Sequence, residues 1–114
     1  MVLRRLQETP VTDNAHGMDV RKLYDTPDAV VMVITLQPGQ SLRRHITPVD
    51  VAFYVLEGTG VAEIGEERAE AGAGTLVESP RGIAHCWCNE SDSPVSFMVI
   101  KAPRPTTGTV FVGV

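Results

Sequence analysis

The apolar runs of this chain are only four to eight residues long, and its eight prolines and ten glycines fall between those runs rather than inside them. Such punctuation interrupts helices before they can grow and suits short strands joined by tight turns. The expected fold is therefore all-β. Strands are expected over 20–24, 30–37, 41–47, 51–57, 60–64, 68–71, 75–78, 84–89 and 95–101, with a last extended piece over 109–114. Nine or ten short strands belong in a sandwich or a barrel. Helix formers compete only between Glu63 and Ala73, where Gly65, Gly72 and Gly74 argue against a helix. A hairpin turning at Gly65-Glu66 fits better, although Gly-Glu is only a fair match to the favoured turn pairs.

The runs Val30-Val31-Met32-Val33-Ile34, Ala52-Phe53-Tyr54-Val55-Leu56 and Phe97-Met98-Val99-Ile100 are apolar at consecutive positions. A strand in a sheet with one solvated face alternates, so both faces of these strands need cover, from a second sheet or from a second subunit. A length of 114 residues makes one domain, 1–114, without an internal repeat or linker. The Pro-bracketed stretch 103–108 reads as a connector to the last strand, which pairs with the sheet or with another subunit. A homodimer is expected.

Several functions are disfavoured by composition. A net charge of −4 with scattered basic residues is unsuited to nucleic acid, and Arg43-Arg44 is a pair rather than a patch. There is no phosphate-binding glycine loop, no nucleophile elbow and no Cys-x2-Cys zinc pair. The longest apolar run, 29–34, is far short of a membrane span, and Met1 to Leu6 lacks an apolar signal core, so a cytoplasmic protein is expected. Cys86 and Cys88, on one face of a strand, would lie about 6.6 Å apart, too far for a disulfide; free thiols are expected.

Two spaced patterns carry the chemistry. The first is Gly39-x5-His45-x-Thr47-x3-Val51-x6-Gly58, and the second is Gly74-x5-Pro80-x-Gly82-x2-His85-x3-Asn89. Together they resemble the paired motifs of the cupin superfamily, in its small single-domain form, and the resemblance covers most of 20–101. The second motif fits at every fixed position; the first keeps both glycines and the leading histidine. The resemblance implies a double-stranded β-helix, a short wide barrel of antiparallel strands that is often dimeric. It also implies a divalent metal inside (Fe, Mn, Ni, Cu or Zn) on three histidines and a glutamate. Carried over to this chain, the ligands reduce to His45 and His85, with Gly39, Gly58, Gly74, Pro80, Gly82 and Asn89 as turn-forming scaffold.

Residues two apart on a strand share a face, so His45 and position 47 point the same way. Thr47 brings only a neutral hydroxyl and Val51 no donor, and two imidazoles without an anionic donor make a weak metal site. A bulge near Pro48-Val49 that turned Asp50 inward would supply a carboxylate; His16, Glu78 and a cysteine are further candidates. Without such a rescue, His45 and His85 read equally well as barrel histidines bonded to Thr47 or water. His16, beside Asn14 and Gly17, reads most simply as a solvated loop residue. Parity aims Arg43 at the barrel mouth, where it would meet an anion, and places Cys86 and Cys88 opposite to His85 and Trp87.

Three functions stay open on these residues. The first is a binding barrel that takes a small molecule, and a loosely held metal, in a pocket of Thr47, Val51, Phe53, Val55, Trp87 and Arg43. The second is a metal-dependent dioxygenase, isomerase or lyase using His45 and His85, with no general base nameable from sequence. The third is a regulatory or dimerisation module.

Overall fold

A computed structural model describes residues 1–113, and its strands lie between the glycine and proline breaks. They are β1 (Asp19–Asp25), β2 (Val30–Leu36), β3 (His45–Ile46), β4 (Asp50–Glu57), β5 (Thr59–Ile64), β6 (Glu67–Gly72), β7 (Leu76–Ser79), β8 (His85–Cys88), β9 (Val95–Ala102) and β10 (Val110–Phe111), after a single 3-10 turn at Leu6–Glu8. Two differ from expectation. Of the strand expected over 41–47 only His45–Ile46 forms, with an isolated bridge from Ser41 to Cys88 ahead of it. The final strand shrinks to Val110–Phe111, and the part of the expectation that falls on Val114 lies outside the described residues.

The strands form two five-stranded antiparallel sheets in the orders β1-β2-β9-β4-β7 and β10-β3-β8-β5-β6. This is the double-stranded β-helix. Consecutive strands lie in different sheets at several steps, so the second sheet covers the inner faces of β2, β4 and β9. Register sets what points inward: Val51 opposes Ser79 and Lys101, Phe53 opposes Val77 and Val99, and Val55 opposes Phe97. On the smaller sheet, β5 and β6 meet at Gly65-Glu66 in the expected hairpin. Gly65 has φ +61 and, among the described residues, no non-glycine residue has positive φ, the pattern of a type II′ turn, whose twist matches its strands.

Between the sheets lies a core of Val20, Ile34, Leu36, Leu42, Val51, Phe53, Val55, Trp87, Val95, Phe97 and Val99 with smaller neighbours. Trp87 stacks on Phe97 with centroids 4.5 Å apart, and Phe53 meets both edge-on. Each large side chain so buried contributes about 1.5–3 kcal/mol. The Trp87 indole N–H has no acceptor, which offsets part of its gain. The outer face of the larger sheet is covered unevenly. Arg21 ties the N-terminal segment to β1, donating to the carbonyls of Leu6 and Thr9, while Tyr54, Leu56 and Leu76 stay exposed. Among the described residues no helix is long and apolar enough to cross a membrane.

Asn89 joins the turns of the two motifs. Its side-chain amide donates to the carbonyls of Leu36 and Ser93, its backbone N–H to Gln40, and its carbonyl accepts from Gly39. Gly58, between β4 and β5, has φ +76, and a Cβ there would stand 2.3 Å from the Pro94 carbonyl oxygen. Both the torsion and the close approach exclude a side chain. Gly58→Ala is expected to destabilise the fold by about 2 kcal/mol or more, read as a shifted midpoint in urea unfolding; a shift worth under about 0.5 kcal/mol would contradict this account.

Candidate functional site

The pairing of β3 with β8 is a single register pair, His45 opposite His85. Both rings enter the barrel, and both are buried. Their Nε2 atoms are 3.1 Å apart. The surrounding bonds fix where the hydrogens lie. His45 Nδ1 is 2.7 Å from the Arg43 carbonyl, which only accepts, so Nδ1 is the donor and Nε2 of the neutral ring holds a lone pair. His85 Nε2 then donates to His45 Nε2, and His85 Nδ1 accepts from the Ser79 hydroxyl at 2.6 Å. Thr47 Oγ1 flanks the pair, 3.3 Å from His85 Nε2. In this chain every ring nitrogen of the two histidines has a partner.

Neutral rings are what the surroundings favour. Burial, assisted by the neighbouring His45 and Lys101, pushes His85 down to about 3. Burial also lowers His45, against the pull of the Arg43 carbonyl.

His16 belongs to the same cluster, not to solvent as the sequence suggested. The loop before β1 winds around Asn14, whose side chain donates to the carbonyls of Thr12 and Met18 and accepts from the His16 N–H. That turn lays the His16 ring against His45, centroids 4.7 Å apart, and edge-on to Phe111. His16 Nδ1 is buried without a hydrogen-bond partner. Burial first, then His45, Lys101 and Arg43, lower its pKa to about 4.

These imidazoles form one end of a cavity of about 150 Å3. Thr47, Val51 and Phe53 line it as the sequence placed them, with Val20, Met32, Ile34, Leu42 and Val99 completing an apolar wall; Asn14, Ala15 and Thr109 line it too. Three expected lining residues do not reach it. Val55 and Trp87 lie deeper, fully buried in the core, because β4 and β8 carry them one further step past Phe53 and His85. Arg43 is exposed, its guanidinium 4.0 Å above the Phe111 ring, because residues 42–44 are not strand and parity fails between Leu42 and His45. Asp50 stays exposed and accepts from the Arg81 N–H, so no bulge turns it inward; Val51 is the buried one. Glu78, opposite the outward-facing Ala52, is on the outer face. Cys86 and Cys88 are free thiols on the face away from His85, and burial beside Glu63 raises Cys86 to about 11, an unreactive thiol.

Sequence reasoning missed Lys101. The inward set of β9 is Val95, Phe97, Val99 and Lys101, so the alternation of the strand carries this lysine into the cavity wall. It sits directly across from Val51. Burial, then Lys22, lower its pKa.

The residues present do not fit a four-ligand metal centre. Two nitrogens 3.1 Å apart match the ~3.0–3.4 Å between neighbouring ligands that each lie about 2.0–2.1 Å from one ion, yet the anionic donor is missing. Among the described residues no group of three or more His, Cys, Asp or Glu is placed to hold an ion.

Comparison with known proteins agrees with the geometry. The family described as Cupin domain matches residues 32–101. The solved structure of TT1209 from Thermus thermophilus is 31% identical and covers 92% of this chain and 100% of its own, with a TM-score of 0.79. A conserved double-stranded β-helix protein from Klebsiella pneumoniae is 22% identical over 98% of this chain and 97% of its own, TM-score 0.82. The polyketide cyclase RemF from Streptomyces resistomycificus is 19% identical over 100% of this chain and 87% of its own, TM-score 0.87. The last two likenesses speak for the fold. No curated protein matches the chain.

The lowered histidines make a prediction about acid. Unfolded, each ring takes up a proton near its ordinary value of 6.5; folded, His16 and His85 resist until about 4 and about 3. Their contribution is complete above about pH 6.5 and is lost as pH falls toward those folded values, by at most about 1.4 kcal/mol per pH unit per ring. The thermal midpoint is therefore expected to drop between pH 7 and pH 5, less steeply in His16→Gln. Circular dichroism melts that are flat across this window would contradict the assignment.

Proposed function

This chain belongs to the cupin family, and from that premise we propose that it is a binding barrel whose cavity takes a small molecule about the size of one six-membered ring. The observation that carries this reading is the cavity itself: about 150 Å3, apolar along its wall and polar at the imidazole end. A cavity of that size lined by aliphatic and aromatic side chains holds benzene in an engineered protein, and ligand sites usually pair such a wall with a few polar groups that fix orientation. The donor set supports binding over a tightly held metal, since Thr47 is neutral, Val51 has no donor atom, and no anionic side chain joins the two imidazoles among the described residues. A divalent metal that enters has two imidazoles and no anionic donor, and is held loosely.

Two measurements test the proposal. In 15N-labelled protein, toluene is expected to give saturable shifts confined to the amides around Ile34, Val51, Phe53 and Val99, and Val51→Phe, which fills the space, is expected to abolish them. Shifts spread over the surface, or none, would contradict a ring-sized site. Elemental analysis of protein purified without chelator is expected to find iron, manganese, nickel, copper and zinc far below one ion per chain. A stoichiometric metal lost on His45→Ala would favour a metal-dependent dioxygenase, isomerase or lyase instead.

A further inference from the structure

Most polar groups around the cavity are satisfied within the chain. His45 and His85 have both ring nitrogens engaged, Thr47 sits against His85, and the Asn14 side chain is spent on its own loop. Left over among the described residues are the buried Nδ1 of His16, which meets no partner, the half-buried Thr109 hydroxyl, and Lys101, the one cationic group of the lining. Among the described residues no carboxylate forms an ion pair with Lys101, and the cavity lining contains no Asp or Glu. The residue facing Lys101 across the strands is Val51, the position at which the family's acid would stand. A half-buried ammonium beside imidazoles, with an aliphatic side chain where an acid would be, leaves the cavity short of one negative charge. Burial without an anion is costly for such a group, and a ligand that brings the anion offsets that cost.

We propose that the ligand is a small one-ring carboxylate, its ring against Phe53 and Val99 and its carboxylate held by the Lys101 ammonium and the Nδ1–H of His16. The inference rests on the ring-binding reading above and adds the charge of the ligand to it. Geometry assigns the two ends: Phe53 and Val99 oppose one another in the wall, while Lys101, one inward step beyond Val99 on β9, and His16, on the loop before β1, supply the cationic and the unpartnered groups. A neutral ring would gain the apolar contacts and leave both polar groups as they are. A carboxylate satisfies both.

The test compares benzoate with benzamide, which has nearly the same shape and no charge, by titration calorimetry and amide shifts on the full chain. Benzoate is expected to bind wild-type protein at least tenfold more tightly, about the worth of one charge-assisted hydrogen bond. In Lys101→Met that ratio is expected to fall to near one, and in Lys101→Arg, which keeps the charge, to stay well above one. A thermal melt of each variant establishes that it is folded, and the wild-type ratio alone decides the matter should the Met variant unfold. A wild-type ratio near one with both probes bound in the cavity would overturn the anionic ligand and leave the ring-sized site intact. A ratio that persists in Lys101→Met would overturn the role of Lys101. Failure of benzoate, benzamide and toluene alike would sink the binding site and this inference with it.

Discussion

Everything in the site follows from one register pair, His45 opposite His85, made where the shortest inner strand meets β8. A slip of one residue on either strand would turn one ring to the outside of the sheet and put a neighbour in its place. The register is held from outside the pair. Leu42 donates to the Trp87 carbonyl, Asn89 locks the turn at Gly39, and Phe111 of β10 flanks His45 on the other side. A polar pair at the centre of the barrel is costly to bury, and hydrogen bonds with the Arg43 carbonyl and the Ser79 and Thr47 hydroxyls offset that cost on the spot.

The replacement of charged donors by Thr47 and Val51 changes what such a barrel can do. A carboxylate at position 51 would have stood across from Lys101 and close to both rings; a valine extends the apolar wall and leaves the positive charge of the lysine uncompensated by the chain. On the binding reading proposed above, the scaffold would receive an organic molecule where the full set of donors would grip a cation, with no change in strand order. This is why fold and reaction separate so cleanly in the family: the strands need only the pattern of apolar and turn residues, while the chemistry depends on a few inward positions.

Much of the fold is legible in the sequence because its signals are local. Glycine and proline delimit strands within a few residues, and parity along β8 puts Trp87 inside with Cys86 and Cys88 on the other face, as the structure has them. Sequence and structure part where local rules stop applying. Counting back from His45 aims Arg43 inward, but residues 42–44 are not in a strand, so the count has no meaning there. Val55 and Trp87 share a face with the cavity lining yet lie too deep to touch a ligand, a distinction of distance that parity does not encode. The position of His16 depends on a loop folded around Asn14 and on packing against a ring far along the chain, so no local pattern places it. Lys101 alone is within reach of the same alternation, hidden at the end of an apolar run.

The cavity lining takes in residues from outside the long strands, Asn14 to His16 before β1 and Thr109 just before β10. Residues 14–16 and Thr109 lie outside the apolar core between the sheets, although β10 after them pairs with β3 and sets Phe111 against His45 and His16. On the proposed binding reading, the loop around Asn14 is the stretch where rewriting would change the guest at least cost to the interior, since the apolar layers are built from other residues.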